Sequence, residues 1–441
     1  MKRPQNSALL FLFFLFCGLE IHTQNKAFIK LCNGFMDGYD ALGIPSTELN
    51  YKVNFAKIKN AKELEQQEIF FVGYFNKIIL LDVKKLSEEQ KLRFTQLKYE
   101  ITMNLRRIEL EKKWDAEGRI IPQNGLHSLH DYRQWYSYYI KHFTSVNITP
   151  EQVFEMGESE VKRIQQEIKT IQNKLGYIDN EAFYKHLQND TFYLKDKKQV
   201  LTAYAAIDKI VRNNLNKLFP KYDVPEVGVM EWPNASANTP TGMYLDKENN
   251  PYGKDIFQFN FYQQRHNKCA MEWLYMHEAM PGHHLQYVAR RNIISKDSCA
   301  LTNRFFYFGN TEGWACYVED CGKEMGLYQN EYTYLGKWQW DLVRSARLVM
   351  EVGIHYYGWT YEQTMQYWKD NIKGQDEIAD REITRITDWI GQVLCYKVGA
   401  LTIKKMVEQQ LERGASIIEA HKFLLMHSDF PLKVLEDISK N

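Results

Sequence analysis

The chain runs to 441 residues, enough for one large core or two joined ones. Its 44% hydrophobic and 14% aromatic content excludes wholesale disorder, and 25% charged residues exclude a polytopic membrane protein. With 56 Lys+Arg against 55 Asp+Glu the net charge is +1, so no global field draws nucleic acid or anionic lipid as a partner.

The first residues form a targeting segment. Lys2 and Arg3 precede an unbroken apolar run from Ala8 to Cys17, and polar Glu20, His22, Thr23 and Gln24 follow. A charged start, about ten apolar residues and a polar exit make residues 1–24 a signal peptide, well short of the ~20 residues a permanent span needs. The expectation is export to the periplasm or beyond, with no stable membrane span. A lipid-modified Cys17 is the alternative, placed second because Phe16 stands where such signals usually carry a small residue.

Low Pro and Gly usage, 11 and 24 residues, predicts a mainly α chain. Leu92, Leu97, Ile101, Leu105 and Ile108 recur at helical spacing after the capping pair Ser87 and Gln90, which predicts a helix to Trp114. A second helix is predicted from Thr149, with Pro150 in its first turn and Val153, Val161, Ile164, Ile168 and Ile171 on one stripe before Gly176. Gln199 to Leu218 reads as helix, and Val224 to Asn250, with three prolines, as loop with short extended pieces. In Asp255 to Phe261, DIFQFNF, alternation of Phe257, Phe259 and Phe261 with Gln258 and Asn260 predicts a short strand. Helices follow to the end, one capped by Thr360 and Gln363. The expected organisation is residues 25–144 as an N-terminal helical region and 145–441 as a catalytic region. The 7 cysteines show no metal or disulfide framework and read as packed thiols, a Cys316–Cys321 bridge being conceivable in an oxidising compartment.

His277, Glu278, His283 and His284 lie together in MHEAMPGHHLQ. His277-Glu278 opens like HExxH, in which two histidines share a helix face to bind zinc and the glutamate is general base, but Pro281 occupies the second histidine's position. On a straight helix His284 lies near the His277 face but about 10.5 Å further along, and His283 lies about 120° off it. Pro281 and Gly282 are where such a helix can break and return one histidine. His283 is favoured over His284, since it requires absorbing fewer inserted residues. Catalytic zinc often takes two His and one Glu, and Glu312 in FGNTEGWACYVED supplies the third candidate, with Glu319 or Asp320 orienting a histidine from behind.

HEAMPGHHLQ, then TEGWACYVE, RSARLVMEVGIHYYGWTYEQ and GQVLCYKVG, resemble the bacterial family called domain of unknown function 885, over roughly residues 145 to 415. Its members are grouped with HExxH-type metallopeptidases. The resemblance implies a large helical, gluzincin-like fold with a small strand element before the metal helix, and zinc on His277, one of His283 and His284, and Glu312. It also implies export. The region before Tyr132 is shorter here than in most members, and Ile390-Gly391-Gln392 stands where many carry PGQ.

These readings converge on an exported zinc metallopeptidase acting on short peptides, with Glu278 as general base. His355 and Tyr396 are the oxyanion-donor candidates, because similar helical zinc peptidases draw His and Tyr donors from downstream helices. Arg347, Arg381 and Arg385 could clamp a substrate carboxylate, but Glu382 beside them points to structural ion pairs for two of the three. The DIFQFNF strand could pair with an extended peptide. The competing readings are a zinc amidohydrolase on a non-peptide amide or ester, and an inactive peptide-binding protein.

Overall fold

Many helices begin where a short polar side chain accepts from an exposed amide of the first turn. A computed structural model describes residues 26–294 and 299–439; the signal segment and Cys17 lie outside them. The class is mainly α, with 67% helix and 4% strand.

By contact the described residues divide into two compact units, 26–48, 53–121 and 299–306 against 49–52, 122–294 and 307–439. The first unit holds α1 (26–41), most of α2 (Tyr51–Ala56), α3 (Ala61–Ile79) and α4 (Glu88–Ala116). Its core joins Phe28, Phe35, Leu64, Phe71, Leu97, Ile101 and Leu301. Ser87 accepts from the Gln90 amide at the head of α4, so the predicted helix is present with a two-residue extension past Trp114.

The second unit holds every candidate site residue. It runs through α5 (Tyr132–Thr144), α6 (Pro150–Lys174), α7 (Asn180–Leu187), β1 (Tyr193–Leu194) and α8 (Lys197–Asn214). Then come β2 (Gly228–Glu231), β3 (Gly242–Leu245), β4 (Ile256–Phe259) and β5 (His266–Asn267). The helices α9 (Met271–Glu278), α10 (His283–Ile294), α11 (Phe308–Glu319), α12 (Glu331–His355) and α13 (Tyr361–Asn371) follow. Last are α14 (Ala379–Asp388), α15 (Leu394–Glu412), α16 (Ile417–Met426) and α17 (Leu432–Ser439). Thr149 with Gln152, and Thr360 with Gln363, form complete capping boxes at α6 and α13.

The sheet corrects one expectation. β4 is central, parallel to β2 and antiparallel to β3, so its backbone is already paired on both sides and cannot receive a peptide. Its four residues are all buried, Gln258 included, because both faces are covered. The outer strands are β2 and β3.

Helix α12 is buried on every side from Leu335 to His355 apart from Gln339 and Trp340, and α6, α9, α14 and α15 pack around it. Charged residues so placed must find partners inside the protein. Beside it α11 crosses α15 at backbone contact: a Cβ at Gly313 would stand 2.6 Å from the Cα of Gly399, and one at Gly399 would stand 2.3 Å from the Gly309 carbonyl oxygen. Only glycines permit that approach, and it sets Glu312 on α11 against Tyr396 on α15. No helix among the described residues is long and apolar enough to cross a membrane. Cys316 and Cys321 are both free thiols, so the conceivable bridge between them is not formed.

Candidate metal centre in a broken helix

The helix carrying His277 stops at Glu278 and a new one starts at His283. Pro281 has no amide to offer the α9 carbonyls, and Gly282 lies directly over them: a Cβ there would stand 2.0 Å from the His277 oxygen and 2.3 Å from that of Met276. The chain therefore folds back across the last turn of α9 only because residue 282 lacks a side chain. The His284 amide donates to the Ala279 carbonyl, and Trp314 of α11 donates to the Pro281 carbonyl at 3.0 Å, pinning the return.

This turn swings His283 round to His277, their ring centroids 4.9 Å apart. Glu312 completes the group, its Oε2 lying 3.5 Å from Nε2 of each histidine. Oε2 is buried and accepts a well-formed hydrogen bond from neither ring. Each of these nitrogen–oxygen separations matches the about 3.4 Å that bonds of about 2.1 Å at tetrahedral angles put between ligand atoms. Burial pushes the Glu312 carboxyl up, yet the two imidazoles outweigh it and hold the group far below its usual range, as an anion. These residues fit zinc. Glu278 joins the same cluster, with one ligand atom each of His277, Glu278 and His283 within 4.8 Å of one another. It is deeply buried, which raises its pKa, and it takes a backbone hydrogen bond from Tyr244 on β3.

His284 points the other way. Its Nε2 donates to the Pro225 carbonyl at 2.8 Å, and Nδ1 faces the Tyr244 hydroxyl at 3.4 Å and Asp255 at 3.7 Å. Both nitrogens thus serve the fold. On the far side of His277, Nδ1 meets Glu319 Oε1 at 2.8 Å, and the other Glu319 oxygen accepts from Arg344 at 2.8 Å. A carboxylate so anchored fixes the ring's orientation and tautomer. Asp320 is paired with Lys337 instead.

Tyr396 stands next to the cluster, its ring 6.3 Å from that of His277 and nearly parallel to it. Its oxygen accepts from Arg385 at 3.0 Å and from Gln392 at 3.1 Å. A phenol has two acceptor positions and one donor, so its own proton is left to donate elsewhere. Burial and the Glu312 charge push the phenol up, keeping it protonated.

His355 is not brought to the cluster. At the end of α12 its Nδ1 accepts from the Leu126 amide at 3.3 Å and its Nε2 donates to the Ile386 carbonyl at 3.0 Å. Both nitrogens are consumed by a structural tie. Burial lowers its pKa to about 4, as it does for His266 and His421. These rings stay neutral in the fold while an unfolded chain takes up protons below about 6.5, so stability present at pH 7 is lost as pH falls from 6.5 towards 4. Each contributes up to roughly 3 kcal/mol of that loss. Denaturant unfolding between pH 7 and 4 should show the decline, and His355→Gln, which keeps one donor and one acceptor, should make it shallower. A stability flat over that range would refute the assignment.

Three residues of the site were not singled out from the sequence. Arg344 had a signal, since RSAR puts two guanidiniums between the apolar pairs Leu342-Val343 and Leu348-Val349. Trp314 and the Tyr244 backbone had none, because both act through contacts distant in sequence.

Fold and site together define a mainly helical protein with a buried two-histidine, two-glutamate cluster built across a helix break. The chain belongs to the family described as bacterial protein of unknown function (DUF885), whose model matches residues 81–438. No curated protein matches. A solved structure described as a putative lipoprotein from Colwellia psychrerythraea is similar at 25% identity and TM-score 0.65, over 84% of this chain and 66% of that one. Another, described as a putative lipoprotein of unknown function from Shewanella oneidensis, is similar at 19% identity and TM-score 0.60, over 86% of this chain and 73% of that one.

Proposed function

We propose that this protein is an exported zinc-dependent hydrolase that cleaves short peptides, with His277, His283 and Glu312 holding the metal. The observation that carries the reading is the buried Glu312 oxygen, unsatisfied and 3.5 Å from two imidazole nitrogens. When bound, zinc supplies Lewis-acid polarisation of the scissile carbonyl and acidifies water. The chain's own residues do the rest. Glu278, its pKa raised by burial, takes the proton of the attacking water and passes it to the leaving amine. Tyr396 donates its unassigned proton to the developing oxyanion. Glu319 and Arg344 keep His277 from turning. A peptide substrate is supported by β3, an outer strand whose Tyr244 amide already reaches Glu278 and whose edge can carry an extended chain. Export is supported by the apolar N-terminal run and by the lipoprotein descriptions of both structural neighbours.

The test is metal analysis of the purified protein before and after chelation, with hydrolysis of a mixed short-peptide library. About one zinc per chain is expected, with cleavage abolished by the chelator and restored by zinc. No metal after reconstitution, or stoichiometric metal without cleavage, would sink the reading.

A further inference from the structure

Three guanidiniums surround the Tyr396 ring, with Cζ atoms of Arg344, Arg347 and Arg385 at 5.9, 5.6 and 5.6 Å from its centroid. Two are neutralised. Arg344 pairs with Glu319, and Arg347 pairs with Glu382 at 2.7 Å. Glu382 also takes Arg381 at 3.1 Å, whose other nitrogen reaches the Ala237 and Thr239 carbonyls. Arg385 differs. Among the described residues it has no ion pair, its Nη2 donates only to the neutral Tyr396 hydroxyl and Gln392 side chain, and its Nε is buried without a partner. The residue as a whole is half-buried rather than sealed. Glu382 and Glu312 act on it through space only, so no carboxylate meets its planar fork directly, and that fork suits one.

We infer that Arg385 binds a carboxylate of the substrate, one tyrosine ring away from the scissile bond. This rests on the hydrolase reading for the word substrate, not for the binding itself. A carboxylate of that kind is either the free C-terminus of a short peptide or an acidic side chain.

Calorimetry on zinc-loaded protein carrying Glu278→Gln separates these without needing turnover. Three ligands are compared: a tripeptide with a free C-terminus, its C-terminal amide, and an amidated peptide with one glutamate side chain. At least one carboxylate-bearing peptide should bind more than about tenfold tighter than the neutral amide, and the two arms show which source is used. Adding Arg385→Gln should erase that preference and leave the neutral amide within about twofold, with Arg385→Lys restoring part of it. Equal binding of all three ligands by the chain with Arg385 intact would overturn the proposal, even if the variant failed to fold. So would a preference that survives Arg385→Gln, or a variant that weakens acid and amide alike, which is what a residue acting only through Tyr396 would do. An inactive protein that still prefers the carboxylate would sink the hydrolase reading alone, and an active one without preference would sink this inference alone.

Discussion

Glu278→Gln is expected to lower kcat by about 10² to 10⁴ while leaving the metal content unchanged. The change keeps shape and volume, and the Gln oxygen can still accept the hydrogen bond from Tyr244. What it removes is the ability to take a proton. Glu278 ends α9 directly after His277, so it faces the same space as the metal ligands without being required as one. The measurement is turnover of the best library peptide by zinc-loaded variant and parent, with elemental analysis of both. Comparable turnover would remove Glu278 as the base. Loss of metal together with activity would make it a ligand instead.

His283→Ala and His284→Ala should part company. Removing His283 takes one of three donors from the centre and should weaken zinc binding more than about 100-fold, beyond what a supporting residue usually contributes. Removing His284 should leave affinity within about tenfold, because its nitrogens face Pro225, Tyr244 and Asp255. That variant should instead be less stable by roughly 1–3 kcal/mol, since a fully buried imidazole is removed together with its hydrogen bond to the Pro225 carbonyl, which keeps only Arg212 as a donor. Competition against a chromophoric chelator gives the affinities, and thermal melts of the apo forms give the stabilities. Equal loss of affinity in both would overturn the single-histidine assignment.

What could be read from the residues divides along the distance over which each feature is decided. Helix starts at Thr149 and Thr360 depend on the next three residues, and both boxes are present. The break at Pro281-Gly282 is equally local. Which histidine it returns depends on the fit of Gly282 over the α9 carbonyls and on Trp314 gripping Pro281, partners that no spacing rule contains. Tyr396 and His355 looked alike as aromatic donors on downstream helices. They differ because the Leu126 amide and the Ile386 carbonyl occupy both nitrogens of one ring, and an arginine and a glutamine orient the other. The strand in DIFQFNF was legible from its alternation, but its place in the sheet was not: alternation reports side-chain polarity, and β2 and β3 come from a loop-like stretch with little pattern of its own.

The meeting of α11 and α15 at Gly313 and Gly399 gives the centre a fixed gauge. Most distances inside a protein can drift as neighbouring side chains grow or shrink, but here two main chains touch and nothing lies between them to be exchanged. Glu312 and Tyr396 inherit that spacing from the polypeptide itself. On the proposed reading, substitutions in α14 or in an outer strand would change what is bound while the separation between carboxylate and phenol stays the same.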